Sequence, residues 1–341
     1  MKRIVVTKQF FRLYFSHPLL IINSSRSRVV EELEIKSWVS SLIAETIGTV
    51  PTRIRKLSVG VMTEKYVAEM SDGFNYMVRS YPISRSHIVK FEPDVIERCR
   101  ANGLRVPEVI ADSRLDVHSP HQYIIYKMIP GTSLSQKIGK LRKRSLSAIA
   151  GSVFDQLSAM AELPVKGFGE LTSADTASSK TWTIFIESTF REGLEAIQRN
   201  SILPIADIEK LEFVEQHLSS IPACNKSGLA WGDVSPENII VDERGAFAGL
   251  VDFEGTLGSE FALNIGYLWA RYAGTKFCSY LLPNWQPSPE ENMRAALYAV
   301  VRALRILRNG RAPLPLGRRR DPIDEVLPGW RSALDYVCTD L

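Results

Sequence analysis

The chain has 341 residues, of which 45% are hydrophobic and 23% are charged, and these ordinary values exclude a disordered or fibrous protein. Its length suffices for one large domain or for two lobes that each bury a core. The formal net charge of +4 permits an anionic ligand without indicating nucleic acid, and no apolar run is long enough to span a bilayer.

Residues 1–30 are basic, with no acidic residue before Glu31, and they surround an apolar stretch from Phe10 to Ile22. This pattern is typical of a targeting peptide, of an upstream extension, or of an added helix that packs on the first lobe. Residues 31–47 follow with apolar residues at helical spacing, which predicts an amphipathic helix.

Three short strands are predicted next, at Ile54–Ser58, Lys65–Met70 and Asn75–Tyr81, with Gly73 in the turn between the last two. Strands of this kind form a small antiparallel sheet. The loop between the first two strands could cover a phosphate chain, and a cation from the third could reach that chain.

A helix at Pro93–Ala101 is followed by predicted strands at Val106–Ala111 and Gln122–Ile129. The chain that leaves the last of these strands, at residues 126–129, is an apolar passage with free backbone groups. Long helical patterns begin after Gly131, so we expect the boundary between two lobes near this residue.

The expected organisation is therefore an extension at 1–30, a first lobe with a small sheet at 31–130, and a second, mainly helical lobe at 131–341. Within the second lobe, residues 167–179 are rich in Ser and Thr and are predicted to form a loop. Helices are expected at 145–163, 182–199, 206–218, 261–272 and 290–309.

The stretch Leu229–Gly258 contains the candidate catalytic and metal-binding residues. Asp233 is followed five positions later by Asn238, and Asp252 comes after a predicted β-hairpin whose turn is centred on Arg244 and Gly245. Antiparallel pairing would bring Asn238 and Asp252 to the same end of the hairpin, facing Asp233.

Carboxylate and amide oxygens are the ligands that Mg²⁺ prefers, so Asp252 and Asn238, with phosphate oxygens, could hold this ion. Asp233 would then be free to accept the proton of an attacking hydroxyl. Each of these residues alone could be a turn or capping residue. Their joint spacing favours metal-assisted phosphoryl transfer.

The segments Trp231–Val241 and Val251–Glu254 resemble the H-G-D-x-x-x-x-N and I-D-[WF]-[ED] signatures of the aminoglycoside phosphotransferase and choline-kinase-like family. The resemblance implies a protein-kinase-like α+β fold, with a small antiparallel-sheet lobe and a large, mainly helical lobe. Weaker similarities extend it over roughly residues 31 to 310. Trp231 replaces the histidine that is usual in this motif. In the family that histidine shapes the loop rather than carrying a proton, so the resemblance still implies activity.

The resemblance also implies site residues. Arg79 stands where many relatives have lysine and would steady the phosphates, with Glu92 as its partner and Asp94 or Glu97 as alternatives. The remaining expected nucleotide contacts are Gly60 in the phosphate-covering loop and the linker residues Lys127, Met128 and Ile129.

We therefore expect an enzyme that uses ATP or GTP with Mg²⁺ to phosphorylate a hydroxyl of a small molecule. The candidate acceptors are an aminoglycoside, an amino alcohol and a sugar. An acidic cleft would favour a cationic acceptor, and the residues that could make the cleft acidic are Glu187, Glu254 and Glu260. The alternatives are a non-catalytic kinase-like protein that binds nucleotide and, more weakly, a protein kinase.

No nucleic-acid or membrane partner is expected. Seven arginines between Arg302 and Arg320 occur without an acid, and we interpret them as a solvated surface. The four cysteines form no CxxC pair, which predicts reduced thiols in a cytoplasmic protein. We expect this protein to be a monomer or a homodimer.

Overall fold

The structure is a computed structural model that describes residues 24–57, 63–116, 119, 121–200, 203–308 and 327–341. The targeting hypothesis for the N-terminus rests mainly on residues 1–23, and both these and Gly60 lie outside the described residues. Within the described ranges no helix is long and apolar enough to cross a membrane. The cytoplasmic location stays a prediction.

The first part of the chain is built on an antiparallel sheet in the order β1-β2-β3-β5-β4. Helix α1 packs on one face of this sheet because Val39, Leu42 and Ile43 are buried against Tyr66 and Val78. The strands are β1 (Arg53–Leu57), β2 (Glu64–Glu69), β3 (Asn75–Tyr81), β4 (Glu108–Asp112) and β5 (Gln122–Lys127), and the helices are α1 (Ser24–Ile47), α2 (Ser86–Val89) and α3 (Glu92–Ala101).

The second part is mainly helical, as predicted. Its helices are α4 (Leu134–Lys137), α5 (Lys143–Ala161), α6 (Trp182–Asn200), α7 (Ile205–Gln216), α8 (Phe261–Tyr272), α9 (Lys276–Leu281), α10 (Pro289–Arg308) and α11 (Trp330–Asp340). The chain thus joins a small antiparallel sheet to a large helical remainder.

Two small sheets complete the helical part and position the candidate site. One has the order β11-β10-β6 and the other the order β8-β7-β12-β9. Their strands are β6 (Thr132–Ser133), β7 (Phe168–Ser173), β8 (Thr176–Ser179), β9 (Gly228–Ala230), β10 (Ile239–Val241), β11 (Phe247–Leu250) and β12 (Leu257–Ser259).

The prediction of a loop at 167–179 was wrong. Strands β7 and β8 form a hairpin there, and β7 pairs with β12 through Glu170 and Gly169, opposite Leu257 and Gly258. The Ser and Thr side chains looked loop-like in sequence, but pairing with a distant strand supplies the backbone hydrogen bonds, and this partner is invisible in the local pattern.

Helices α8 and α10 cross closely at Gly266. A Cβ added there would lie 2.6 Å from the Cβ of Tyr298 and would also meet the carbonyl oxygen of Ala295. Both neighbours belong to the largest apolar core, where α6, α8, α10 and α11 meet. The glycine is therefore required by helix packing rather than by a turn.

We expect Gly266→Ala to lower the free energy of unfolding by about 1–3 kcal/mol or more, because the helices must separate to admit the methyl group. Gly151→Ala in α5 is the matched control. No atom lies within 4 Å of its added Cβ, so this variant should gain about 0.5–1 kcal/mol from helix propensity. Urea unfolding measures both. Equal effects at the two positions would contradict the packing explanation.

Candidate active site

The loop that carries Asp233 begins where β9 ends, and a glycine makes its first turn. Gly232 has φ of +74°, and a Cβ there would meet the carbonyl oxygen of Gly255. Its amide donates to the side-chain oxygen of Asn264 at 3.1 Å, which ties the loop to α8. The position and direction of Asp233 therefore depend on both the strand and this helix.

Asn238 connects Asp233 to the following hairpin. Its side-chain amide donates to Asp233 Oδ2 at 2.7 Å, and its backbone carbonyl accepts from the amide of Val251 at 2.9 Å. Strands β10 and β11 pair from Ile239 and Leu250 onward, with Gly245 at φ +78° in the turn. The hairpin thus brings Asn238 and the residues just before Asp252 together, as the sequence predicted.

Asp252 has an unusual backbone and two cationic partners. It is the only non-glycine residue with positive φ, at 70°, in the part of the chain that the structure describes. Its Oδ1 accepts from Arg79 at 2.9 Å and its Oδ2 from Lys65 at 3.1 Å. Burial favours a higher pKa for this carboxyl group, but Arg79 and Lys65 outweigh it, and the pKa is lowered.

Arg79 lies at the centre of a buried ion cluster, with only 3% of its side chain exposed. Besides Asp252, its guanidinium contacts Glu254 at 2.6 Å and Glu92 at 3.5 Å, and its Nε donates to Thr63 at 2.9 Å. Burial opposes its charge, yet Tyr81 and these carboxylates keep the pKa of Arg79 well above its ordinary value. The arginine is therefore a fixed cation beside Asp252.

Glu92 is the partner of Arg79 that the sequence favoured. It is buried at the start of α3 and accepts from the Tyr81 hydroxyl at 2.6 Å and the Tyr126 hydroxyl at 3.1 Å. Burial raises the pKa of its carboxyl group, and Arg79 offsets only part of this effect. The two alternative partners of Arg79 pair with other arginines, since Asp94 contacts Arg114 and Glu97 contacts Arg100.

Lys65 was not identified from the sequence. It lies directly opposite Arg79 in the pairing of β2 with β3, so the two cations share one face of the sheet. The register follows from the Asp72-Gly73 turn, and counting outward from that turn would have placed Lys65 beside Arg79. Arg85 was also missed; it contacts Glu254 at 3.2 Å.

Trp231 is fully buried, and its Nε1–H donates to the backbone carbonyl of Asp252 at 3.1 Å. Its ring lies 6.1 Å from that of Phe253, measured between centroids. The indole therefore fixes the carbonyl of the residue whose φ is positive. This contact gives the tryptophan in the motif a structural role in holding Asp252.

We expect Trp231→Phe to weaken Mg²⁺-dependent nucleotide binding and to lower stability by about 1–3 kcal/mol, because a buried carbonyl loses its donor. Calorimetric titration with AMP-PNP and thermal unfolding measure the two effects. Trp182→Phe is the control, since Trp182 donates to Tyr298 at 2.6 Å within the helical core. It should lose stability while keeping the nucleotide affinity. The same loss of affinity in both variants would contradict the assigned role.

Two arginines contact Asp233 from the helical part of the chain. Arg271 on α8 donates to Asp233 Oδ1 at 2.9 Å, and Arg302 on α10 lies 3.9 Å from the same oxygen. Neither was assigned to the site from sequence. Arg271 follows Asn264 by seven residues on one face of α8. This spacing, combined with the contact of Asn264 to the loop that carries Asp233, is the signal that could have found it.

The interpretation of the basic segment as solvated surface is therefore wrong for its first part. Arg302 faces Asp233, while Arg305 pairs with Glu170 and Arg308 pairs with Glu170 and Glu192. The positions of Arg311, Arg318, Arg319 and Arg320 lie outside the described residues.

The three glutamates that could have made the cleft acidic are Glu187, Glu254 and Glu260, and two of them are paired with arginines. Glu254 contacts Arg79 and Arg85, and Glu260 accepts from Arg294 and from the hydroxyl of Tyr298. Glu187 is an exposed residue of α6. Two of the three are thus neutralised by arginines.

The linker residues lie at the end of β5. The amide of Met128 donates to the carbonyl of Asn75 at 2.9 Å, so it is already used within the protein. The amide of Ile129 has no hydrogen-bond partner among the described residues and could meet a purine edge. The ammonium of Lys127 lies 4.0 Å from the centroid of the Phe74 ring.

The donor set fits Mg²⁺. Asp252 supplies a carboxylate that its neighbours keep ionised, and the side-chain oxygen of Asn238 accepts no hydrogen bond from any residue described in the structure. A carboxylate and an amide oxygen, completed by water and phosphate oxygens, match the hard ligands this ion prefers.

Comparison with known proteins is consistent with this geometry. The model of the phosphotransferase enzyme family (APH) matches residues 53–286, more than half of the chain. A comparison with curated protein sequences finds no significant match. Solved structures with TM-scores from 0.58 to 0.65 also match, at 14–15% sequence identity, so they bear on the fold alone.

Three of these structures illustrate the similarity. A thermostable mutant of aminoglycoside phosphotransferase APH(4)-Ia, in ternary complex with AMP-PNP and hygromycin B, has TM-score 0.65 and 14% identity over 88% of this chain and 97% of that one. The streptomycin–ATP–APH(2″)-IIa ternary complex has TM-score 0.59 and 15% identity over 92% and 97%. A putative fructosamine-3-kinase from Haemophilus somnus 129PT has TM-score 0.58 and 14% identity over 88% and 96%. The chain therefore has the protein-kinase-like fold.

Proposed function

The chain belongs to the phosphotransferase enzyme family, and we propose that it transfers the γ-phosphate of ATP or GTP to a hydroxyl group of a small molecule. The observation that carries this proposal is the placement of Asp233, Asn238 and Asp252 by one loop and one hairpin. Asn238 contacts Asp233 directly, and Asp252 lies beside the buried cation Arg79. This arrangement supports phosphoryl transfer, in which a base and metal ligands must lie together beside the phosphates.

In this reaction the acceptor oxygen forms a bond to the γ-phosphorus, and the bond from that phosphorus to the bridging oxygen breaks. The nucleoside diphosphate leaves with the electron pair of that bond. Asp233 receives the proton of the hydroxyl group through its carboxylate. Asn238 holds the second oxygen of Asp233 at 2.7 Å, so it fixes the direction of the base.

The cations of the sheet would bind the nucleotide. Arg79, held by Glu92, and its neighbour Lys65 place positive charge where the α- and β-phosphates would lie. Asp252 and the Asn238 oxygen would hold Mg²⁺, which when bound neutralises charge on the phosphate oxygens. Gly60 would cover the phosphates, and the linker from Lys127 to Ile129 would contact the purine.

The proposed organisation follows from these roles. Residues 31–130 would form the nucleotide-binding lobe, and residues 131–341 would carry the catalytic loop and the acceptor site. The aminoglycosides bound by two of the similar structures make this class one candidate acceptor, beside amino alcohols, sugars and other hydroxylated compounds.

The test is a nucleoside diphosphate release assay with ATP or GTP, Mg²⁺ and a panel of hydroxylated acceptors, with phosphorylated product identified by mass spectrometry. We expect acceptor-dependent turnover that disappears in Asp233→Asn. Tight nucleotide binding with no turnover on any acceptor, and no effect of Asp233→Ala on binding, would instead indicate a non-catalytic nucleotide-binding protein. Phosphorylation of generic peptides would indicate a protein kinase.

A further inference from the structure

The charge around Asp233 is positive. Arg271 and Arg302 approach one oxygen of this carboxylate from two different helices. Among the residues that the structure describes, no other carboxylate lies within 4.0 Å of either guanidinium. Two positive groups thus share a single negative partner, and that partner is the proposed base.

Both arginine side chains are partly exposed. The Arg271 side chain is 37% exposed and the Arg302 side chain 26% exposed, whereas the side chain of Arg79 in the buried ion cluster is 3% exposed. An arginine that served only to hold the fold would be expected to have its donors satisfied within the protein. These two have donors left for a ligand that lies beside Asp233.

A third polar group lies close by. Tyr267, on the same face of α8 as Arg271, places its ring 4.8 Å from the guanidinium carbon of Arg302. Its hydroxyl is buried and has no hydrogen-bond partner within the described part of the chain. The face of this ring favours the positive charge of Arg302 beside it, whereas the unpartnered hydroxyl is itself costly to bury.

We infer that the acceptor carries a negatively charged group, a carboxylate or a phosphate, beside the hydroxyl that is phosphorylated, and that Arg271 and Arg302 bind this group. The inference rests on the proposed function and names its substrate class. Guanidinium groups are suited to such anions because their planar donors match two anionic oxygens at once. A polycationic acceptor would place ammonium groups beside two guanidinium groups and would be repelled.

Binding of the anion also explains the contact between Arg271 and the base. Arg271 donates to Asp233 Oδ1 at 2.9 Å, and this is the oxygen that would accept the hydroxyl proton. When the acceptor's anionic group takes over this guanidinium, Oδ1 becomes free. The acceptor would thus release the base at the moment when its own hydroxyl arrives.

A binding experiment tests the inference independently of the true acceptor. The protein is first saturated with AMP-PNP and Mg²⁺, which fills the triphosphate positions, and its melting temperature is then measured with gluconate, glucose or glucosamine at equal concentration and ionic strength. We expect gluconate alone to raise the melting temperature. This rise in melting temperature should vanish in the double variant Arg271→Gln/Arg302→Gln. It should persist in the control Arg305→Gln, since Arg305 lies on the same helix as Arg302 but pairs with Glu170.

The outcomes separate this inference from the proposed function. If AMP-PNP itself gives no stabilisation, the proposed function is in doubt. If AMP-PNP stabilises the protein but gluconate adds nothing, or if its increment survives in the double variant, the anionic acceptor is refuted. Melting of the ligand-free double variant near the wild-type temperature excludes misfolding as the cause.

A kinetic comparison completes the test, with an acceptor panel containing equal numbers of anionic, neutral and cationic hydroxy compounds. The highest kcat/KM should belong to an anionic member. For that acceptor, each single arginine variant should raise KM roughly ten- to hundredfold with the KM for ATP unchanged. A rise in the KM for ATP would show that the arginines contact the nucleotide, and a best acceptor that is an aminoglycoside would overturn the inference.

Discussion

Asp233→Asn is expected to lower kcat by roughly 10²–10⁴-fold while nucleotide affinity stays at the wild-type value. The amide has the size of the carboxylate but cannot accept the proton of the attacking hydroxyl. Asp233 contacts Asn238, Arg271 and Arg302, and none of the cations that the proposal assigns to the phosphates. The change should therefore act on the chemical step, measured by acceptor-dependent release of diphosphate and by AMP-PNP titration.

The matched control is Asp242→Asn in the turn of the neighbouring hairpin, where Asp242 accepts from the amide of Ala246 at 2.8 Å. This variant should keep both kcat and nucleotide affinity, since an amide oxygen can still accept that bond. Near-normal turnover in Asp233→Asn would show that the proton goes elsewhere. A parallel loss of nucleotide affinity would show that the carboxylate is needed for binding instead.

The local part of the site was predictable because its geometry follows from short-range rules. A hairpin between Asn238 and Asp252 fixes where both residues lie, and the alternation of β3 places Arg79 on one face. These relations involve neighbours in sequence, whose patterns are readable without a tertiary structure. Glu92 was found through the family resemblance instead, since the short helix α2 separates it from that strand.

The arginines that contact Asp233 could not be predicted in the same way. Arg271 and Arg302 reach Asp233 only because α8 and α10 pack closely around Gly266, and sequence periodicity indicates a helix face without indicating what that face meets. Arg302 was therefore grouped with the arginines that follow it. The hairpin of β7 and β8 was missed for the same reason, because its partner β12 lies far along the chain.

Asp252→Ala is expected to abolish Mg²⁺-dependent nucleotide binding. The carboxylate is the one charged metal ligand in the proposed site, and the side-chain oxygen of Asn238 alone is a weak ligand for this ion. AMP-PNP titration with and without Mg²⁺ measures the effect, and any binding that remains should be the same in both conditions. Asp252→Asn should show an intermediate affinity, since it keeps one oxygen but loses the charge.

In Asp252→Ala, we expect the free energy of unfolding to change less than the affinity for Mg²⁺, because of the remaining partners in the buried ion cluster. Arg79 keeps Glu92 and Glu254 as partners, so the cost should stay below the roughly 3–5 kcal/mol expected when a buried charge loses its partner. Asp112→Asn, which alters a pair with Arg114 at the sheet edge, should leave nucleotide binding unchanged. If Asp252→Ala still bound AMP-PNP more tightly with Mg²⁺ than without it, another residue would have to hold the metal, and the proposed pairing of Asp252 with Asn238 would be wrong.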